Sequence, residues 1–450
     1  MNVRDFYELE AEKPILLVFL KKEKISKLSV AVRDALAIQN FTGKLGDVAF
    51  VGKKGKLSTV YVAEEKSDSE AVAYAMPRLP EGVYQPPKGM SLQALVMWSL
   101  AQYHFDSYKK SEKFYRRLCV TSVQLTQLLP EASARFLTRN LINAPANEMH
   151  PDALTQALKR VAEVHHASFT QWVGRDLLEQ NFPAVHAVGR GASVEPRIGF
   201  LTHGEKSHPH VVIVGKGVCF DSGGLDIKSA SSMRLMKKDM GGAAIAIGLA
   251  EWLLSAKLPI RLTVIIPAVE NAISAESYRP GDILTMRNGL SVEIDNTDAE
   301  GRLILADALA YACELDPDLI IDFATLTGAA RVAVGTQISA LFTNHDKLAH
   351  QLMQASEKVD DPVWRMPLFK GYARMNESLV ADLSNSTSSA YAGAITAALF
   401  LERFIENKIT WAHFDTMAWN ERSRPGRPEG GEAMAMMAVA SYLMEHYQRK

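Results

Sequence analysis

The sequence predicts an α/β protein of two domains, with a smaller N-terminal α/β domain and a larger C-terminal α/β sandwich that has a mostly parallel central sheet. Two observations support this prediction. The chain has 450 residues, which is more than a single hydrophobic core usually fills. In its second part, short apolar runs alternate with longer helical patterns, as in proteins built from successive strand–helix units. We expect domains over 1–128 and 151–450, with a linker helix over 129–150.

The N-terminal domain shows both kinds of element. Apolar runs predict strands, and patterns with helical period predict helices. Strands are predicted over 14–20 and 58–65, helices over 27–39 and 91–105, and a Pro- and Gly-rich loop over 79–90. No motif here carries chemistry, and its charged runs are typical of solvated faces.

The C-terminal domain begins after a helical pattern that Pro145 ends. Strands are predicted over 210–217, 260–269, 290–295, 318–328, 337–344 and 410–418, and helices over 241–257, 302–315, 392–405 and 432–447. Parallel sheets of this kind bind ligands beyond the carboxyl ends of their strands. Polar residues where strands end are therefore the candidates for a functional site.

Composition narrows the classes of function. The formal net charge is -1, so charge gives no indication of a nucleic-acid or membrane partner. Cys119, Cys219 and Cys313 are odd in number and widely spaced, which fits a reducing compartment. The first residues lack the apolar core of a signal peptide, and no apolar run is long enough to span a bilayer. We expect a cytoplasmic protein.

Two predicted strand ends, within 214–244 and 291–312, are rich in ionisable residues. The side chains are Lys216, Asp221, Lys228, Asp239, Asp298, Glu300 and Arg302. Glycines flank both segments, and glycine allows the backbone to approach a ligand closely.

Four carboxylates gathered in a crevice would repel one another, and each unpaired buried charge costs several kcal/mol. Two divalent cations would balance Asp221, Asp239, Asp298 and Glu300. Asp298 and Glu300 would face the same way if the backbone stayed extended between them. Oxygen ligands suit magnesium or manganese and also accept zinc.

Each residue also has a structural interpretation. Asp298 could cap the following helix, Asp239 could cap the helix starting at Gly241, and Lys216 could be a surface lysine. For a single residue the structural interpretation is the more common one. For the whole set, at successive strand ends, we favour a metal site. The pair His165–His166 is typical of a polar helix surface.

Four stretches resemble the leucyl aminopeptidase (cytosol aminopeptidase) family: "VGKGVCFDSGG", "KKDMGGAA", "NTDAEGRLILADAL" and "ATLTGA". The resemblance extends from about residue 139 to the C-terminal helix. It implies a homohexameric two-metal exopeptidase that acts on peptides with a free N-terminus and prefers leucine and methionine.

The resemblance also implies roles for single residues. One ion, Mn²⁺ or Zn²⁺, would be held by Lys216, Asp221, Asp239 and Glu300, and a second by Asp221, Asp298 and Glu300. Lys228 would stabilise the oxyanion, and Arg302 would hold bicarbonate, the general base.

The same resemblance implies a pocket for the first side chain. Met236, Thr325 and Gly328 would line it, and Met417 would form its remaining wall, with Asn420 and Trp419 nearby. Two alternatives stay open on the residues alone. One is a two-metal phosphoesterase, because the metal chemistry is shared. The other is a DNA-binding architectural role, which the pI of about 6.9 disfavours.

Overall fold

The computed structural model describes residues 2–53, 55–109, 115–406 and 408–448. The chain divides into two compact units, Met1–Phe136 with Arg422–Glu429, and Leu137–Glu421 with Gly430–Lys450. Residues 129–143 of the predicted linker helix belong to a longer helix, Ser122–Asn143, whose residues fall in both units, and residues 144–150 are not helical. The domain boundaries at 128 and 150 stay a prediction.

The first unit is a sheet with helices. Its strands are β1 (Tyr7–Glu8), β2 (Ile15–Leu20), β3 (Val48–Lys53), β4 (Lys56–Ala63), β5 (Gly82–Gln85) and β6 (Arg116–Cys119). Its helices are α1 (Val30–Ile38), α2 (Asp68–Ala75), α3 (Leu92–Leu100) and the first part of α4 (Ser122–Asn143). The order is β1-β6-β5-β2-β4-β3, in which only β3 and β4 pair antiparallel.

Strand β5 corrects the loop predicted over 79–90. It pairs with β2 and β6, and Tyr84 within it is fully buried. The prolines and glycines around this strand concealed it, because it is only four residues long.

The strands of the second unit are β7 (Ser168–Val173), β8 (Arg197–His203), β9 (His210–Gly215), β10 (Gly217–Asp221), β11 (Arg261–Asn271), β12 (Ile283–Thr285), β13 (Ser291–Glu293), β14 (Leu319–Ala324), β15 (Ser339–Thr343), β16 (Val363–Arg365), β17 (Leu383–Ser384), β18 (Thr410–Asp415), β19 (Trp419–Asn420) and β20 (Gly430–Gly431). Its helices after α4 are α5 (Pro151–Val164), α6 (Asp176–Glu179), α7 (Pro183–Gly189), α8 (Ala230–Met233), α9 (Gly241–Ser255), α10 (Glu300–Glu314), α11 (Gly328–Val334), α12 (Asp346–Lys358), α13 (Gly393–Glu402) and α14 (Met436–Tyr447).

The central sheet has the order β16-β15-β18-β14-β9-β11-β8-β7, and β10 also pairs with β11. Its four middle strands, β18, β14, β9 and β11, run parallel to one another. Antiparallel pairs occur toward the two edges. All residues of β9 and β14 are buried, as expected for a sheet covered on both faces. The predicted α/β class and mostly parallel sheet are confirmed.

Helix α9 is buried along nearly its whole length and lies against β9 and β14. Glycine at its start makes this approach possible. A Cβ at Gly242 would lie 2.1 Å from the carbonyl oxygen of Phe323 in β14. The N-terminus of α9 therefore lies beside the carboxyl end of β14, at the edge of the sheet where ligands usually bind.

The strand predicted over 290–295 is not in the central sheet. It forms β13 of a small separate sheet, where it pairs antiparallel with β12 and parallel with β17. Its short apolar run carried no information about which sheet it would join. In the described part of the chain, no helix has the length and apolar character needed to cross a membrane.

Candidate active site

Lys216 lies between β9 and β10, and its backbone forms hydrogen bonds with β14 and with α9. Its N–H donates to the carbonyl of Phe323 in β14, and its carbonyl accepts from Ala243 in α9, at 2.9 and 2.8 Å. The buried amine Nζ lies 2.7 Å from Asp239 Oδ2 and 3.0 Å from Glu300 Oε1. Burial alone would lower the pKa of the amine, but the charges of Asp239 and Glu300 outweigh it and raise the pKa above that of an ordinary lysine.

Lys228 pairs with the other two carboxylates. Its Nζ lies 2.8 Å from Asp221 Oδ2 and also contacts Asp298 Oδ1. Burial opposes the charged form, but Asp221 and Asp298 outweigh it and raise the pKa of Lys228 above the usual value for lysine. Each of the two lysines is therefore a cation that bridges two carboxylates.

Asp221, Asp298 and Glu300 form a cluster of potential metal ligands. One carboxylate oxygen from each lies within 4.8 Å of the others. Burial and the neighbouring Asp221 raise the pKa of Asp298 to about 6. The same two causes raise the pKa of Glu300 well above its usual range. Carboxylate oxygens in this arrangement favour binding of a cation. A bound cation would offset both the burial of the negative charges and their mutual repulsion.

Three buried oxygens of the cluster, Asp298 Oδ1 and both oxygens of Glu300, have no hydrogen-bond partner within the described residues. Glu300 Oε2 is buried and, among the residues that the structure describes, accepts no hydrogen bond. An unpaired buried acceptor costs free energy unless a ligand satisfies it. Its surroundings therefore suit a bound ion.

The backbone turns between Asp298 and Glu300. Ala299 has φ -110° and ψ 38°, and Glu300 is the first residue of α10. The extended backbone that would have turned both side chains to one face is therefore absent between these two residues. The two carboxylates meet because the chain enters a helix there, which also places Glu300 at the favourable positive end of the helix dipole.

Asn271 is a site residue that the sequence reasoning missed. Its Nδ2 donates to Asp221 Oδ1 at 2.8 Å and to the carbonyl of Thr297 at 3.0 Å. It thus joins the segment carrying Asp221 to the segment carrying Asp298. The signal was present, because Asn271 is a polar residue at the end of an apolar strand, β11.

Gly301 allows Lys216 to reach the cluster. A Cβ at this position would lie 2.4 Å from Cε and 2.6 Å from Nζ of Lys216. Any side chain here would displace the lysine from Glu300.

Arg302 is half-buried beside the cluster. Its Nη1 donates to the carbonyl of Asn385 at 2.7 Å, and its buried Nε makes no hydrogen bond within the described residues. Burial lowers the pKa of Arg302 to about 10. The guanidinium therefore keeps its charge at neutral pH and has a donor available for an anion.

A cavity of about 130 Å³ adjoins these residues. It is lined by Lys216, Asp221, Lys228, Met236, Lys238, Asp239, Asp298, Glu300, Thr325, Leu326, Thr327, Gly328, Arg331 and Thr416. The structure thus brings together the predicted metal ligands, Lys228 and three of the predicted pocket residues. Lys238 and Arg331 were missed, although Lys238 directly precedes a predicted ligand in the sequence.

The other predicted pocket residues lie elsewhere. Met417 is buried behind the cavity, with its Sδ 3.7 Å from Arg331 Nη1. Asn420 is buried and donates to Glu432 Oε2 at 2.7 Å. Trp419 lies under the amine of Lys237, 5.5 Å from its ring centroid. This segment therefore packs around the cavity wall and contributes none of its lining residues.

Comparison with known proteins gives a consistent result. Residues 136–440 match the catalytic domain of the cytosol aminopeptidase family. The chain is 35% identical, over 91% of its length and 90% of the relative's, to a protein named "Probable cytosol aminopeptidase" from Chlamydia abortus. The crystal structure of cytosol aminopeptidase from Coxiella burnetii has a TM-score of 0.95 and 44% identity, covering 98% of this chain and 100% of that one.

A second solved structure is similar over nearly the whole chain. It is the bottromycin maturation enzyme BotP in complex with Mn, with a TM-score of 0.87, 29% identity and coverage of 96% and 99%.

Fold and matches together define a metal-dependent peptidase that acts at the N-terminus of its substrates. The chain belongs to the cytosol aminopeptidase family, as a leucyl aminopeptidase-type exopeptidase.

Proposed function

We propose that this chain is a two-metal aminopeptidase that releases the first residue, with leucine and methionine among the preferred ones, from peptides with a free N-terminus. The observation that carries the proposal is the cluster of carboxylate oxygens from Asp221, Asp298 and Glu300 within 4.8 Å of one another. The cluster borders a cavity large enough for one side chain.

The residues present fit two divalent ions. The proposed ligands are Lys216, Asp221, Asp239, Asp298 and Glu300. Four buried or half-buried carboxylates share only two lysines, and Glu300 Oε2 has no hydrogen-bond partner in the described chain. Two ions, Mn²⁺ or Zn²⁺, would when bound polarise the scissile carbonyl and lower the pKa of a water molecule. The relative BotP, solved with Mn, supports manganese as one of the two candidates.

Lys216 would act as a ligand only through a neutral amine, because the ammonium has no lone pair. Asp239 and Glu300 now hold the proton on Nζ and raise its pKa. Ligation therefore requires loss of that proton.

Lys228 would keep its proton and stabilise negative charge that develops on the carbonyl oxygen of the substrate. Its contacts with Asp221 and Asp298 fix the position of the ammonium group before the substrate arrives. A group held in place in advance needs little reorganisation when the charge appears.

Arg302 would hold bicarbonate, which when bound would supply the general base. A planar guanidinium suits a small planar oxyanion. Its hydrogen bond to the carbonyl of Asn385 orients the group, and its buried Nε is available.

Met236, Thr325 and Gly328 would form the apolar part of the side-chain pocket. Each methylene buried there contributes about 0.8 kcal/mol, which favours leucine and methionine. Met417 would support this wall through its contact with Arg331.

We further propose a homohexamer located in the cytoplasm, on the family resemblance alone. The balanced charge of the chain gives no support to a role in binding DNA.

The test is kinetics on the purified protein after treatment with chelator and reconstitution with Mn²⁺ or Zn²⁺. Leucyl p-nitroanilide should be hydrolysed only with metal, and N-acetyl-leucyl p-nitroanilide at a small fraction of that rate. Comparable rates on the two substrates would refute an aminopeptidase. Hydrolysis of p-nitrophenyl phosphate in place of the anilide would favour the phosphoesterase alternative. Light scattering on the same sample tests the hexamer.

A further inference from the structure

Two cations in the cavity have no role in the mechanism proposed above. Lys238 and Arg331 both line it, together with the carboxylate cluster. Lys238 is only 4% exposed. A lysine buried to this extent usually has an acidic partner.

In the part of the chain that the structure describes, neither cation has an acidic partner. Within the described residues, no carboxylate oxygen lies within 4.0 Å of Lys238 Nζ or of the Arg331 guanidinium. The nearby acids are engaged elsewhere. Asp239 is bound by Lys216 and by the hydroxyl of Thr325, and Asp415 accepts from the Leu326–Thr327 segment.

Arg331 lies at the wall proposed for the side-chain pocket. Its Nη2 lies 3.4 Å from the point that a Cβ on Gly328 would occupy. Its Nη1 lies 3.7 Å from Met417 Sδ. The guanidinium therefore folds back over the first turn of α11, and Gly328 leaves the space beside it open.

We propose that this pocket binds the side-chain carboxylate of an N-terminal glutamate or aspartate, paired with Lys238 and Arg331. The inference rests on the proposed aminopeptidase function and adds acidic residues to its substrates. A carboxylate would satisfy a buried cation that now has no counter-ion. The neutral amide of the same shape would leave that cation unpaired, so the pocket should distinguish glutamate from glutamine.

The test compares kcat/KM for L-glutamyl and L-glutaminyl 7-amido-4-methylcoumarin on the metal-reconstituted enzyme. These substrates carry no C-terminal carboxylate, so a preference reports the side chain. We expect the glutamyl substrate to be faster by about tenfold or more, the usual size of a charge-assisted contact. In Lys238→Met and Arg331→Met, the ratio should fall toward one.

Lys237→Met is the matched control. Lys237 is the next residue along, but its Nζ donates to the carbonyl of Asn143 at 2.6 Å and does not line the cavity. Its removal should leave the ratio as it is in the unmodified protein. A fall of equal size in this variant would mean that overall charge, and not the pocket, sets the preference, and would overturn the inference.

Three further outcomes are decisive. If leucyl amide is hydrolysed but glutamyl is no faster than glutaminyl, the inference fails and the aminopeptidase stands. If no aminoacyl amide is hydrolysed, both fail. If Lys238→Met does not fold, Arg331→Met can be tested alone, because Arg331 is exposed. An unchanged ratio of glutamyl to glutaminyl kcat/KM in Arg331→Met would then count against pairing of the substrate carboxylate with these cations. Competitive inhibition gives an independent measure, since free glutamate should inhibit more strongly than glutamine.

Discussion

Replacing Lys238 by methionine should stabilise the metal-free protein at neutral pH. Lys238 is 4% exposed, and within the described residues its amine has no ion-pair partner. Burial therefore disfavours its charged form and lowers the pKa of Lys238 to about 8. Methionine is similar in length and carries no charge that would have to be desolvated.

The size of the effect follows from that pKa. A fall from 10.5 to about 8 corresponds to roughly 3 kcal/mol as an upper limit, so we expect about 1–3 kcal/mol. The sign follows from proton binding. Between pH 8 and 10.5 the unfolded chain holds a proton on this lysine that the folded chain has lost, so rising pH stabilises the unmodified protein. The advantage of the variant is full below pH 8 and disappears by about pH 10.5.

The assay is thermal unfolding of both proteins in chelator at a series of pH values. At pH 7 the variant should melt only a few degrees higher, because a given change in unfolding free energy shifts the melting temperature less in a larger chain. The difference should shrink above pH 8. A variant that melts lower at pH 7, or a difference independent of pH, would mean that Lys238 has a counter-ion in the folded protein. That result would also count against an acidic side-chain pocket.

Three other predictions concern the proposed catalytic residues. Glu300→Gln should abolish activity and metal binding while the circular dichroism spectrum stays unchanged. An active variant that still binds metal would show that Glu300 is not a metal ligand. Lys228→Met should lower kcat more than it raises KM, because the ammonium acts on charge that develops in the transition state; a change in KM alone would contradict this role. Arg302→Met should slow turnover while elemental analysis finds both metals retained; loss of metal together with activity would make Arg302 a structural residue.

Much of the fold could be predicted because the buried strands carry strong local signals. The runs that form β9 and β11, and the helices α9 and α10, were found close to their observed bounds. The strand predicted over 318–328 was too long, because β14 ends at Ala324 and α11 begins at Gly328. Strands β7 and β8 and helix α5 were missed. The signal for α5 was present, because its apolar residues Leu154, Leu158 and Val161 recur at helical spacing and are buried. The position of β13 could not be predicted at all, because pairing with β17 joins segments about 90 residues apart.

The carboxylate cluster could be anticipated because its members follow strands in the sequence. Lys238 could not, since a lysine in a charged run is typical of a solvated face, and only the packed structure shows it buried. The same applies to Arg331, which sits three residues into α11 and reaches the cavity by folding back over Gly328. Met417 was assigned to the pocket by resemblance, and its contact with Arg331 places it behind the lining.

The lysine pairs of the site have a consequence for how the protein is made. In a zinc finger the ligands repel or remain unsatisfied without metal, so the chain cannot fold before the ion is bound. Here Lys216 and Lys228 already neutralise much of the carboxylate charge. Synthesis and metal supply are thereby uncoupled, and we expect chelated protein to keep its circular dichroism spectrum and a cooperative melting transition. A cell short of manganese or zinc would then accumulate a folded reserve that becomes active when the metal returns, whereas unfolding in chelator would show that the two lysines are insufficient counter-ions.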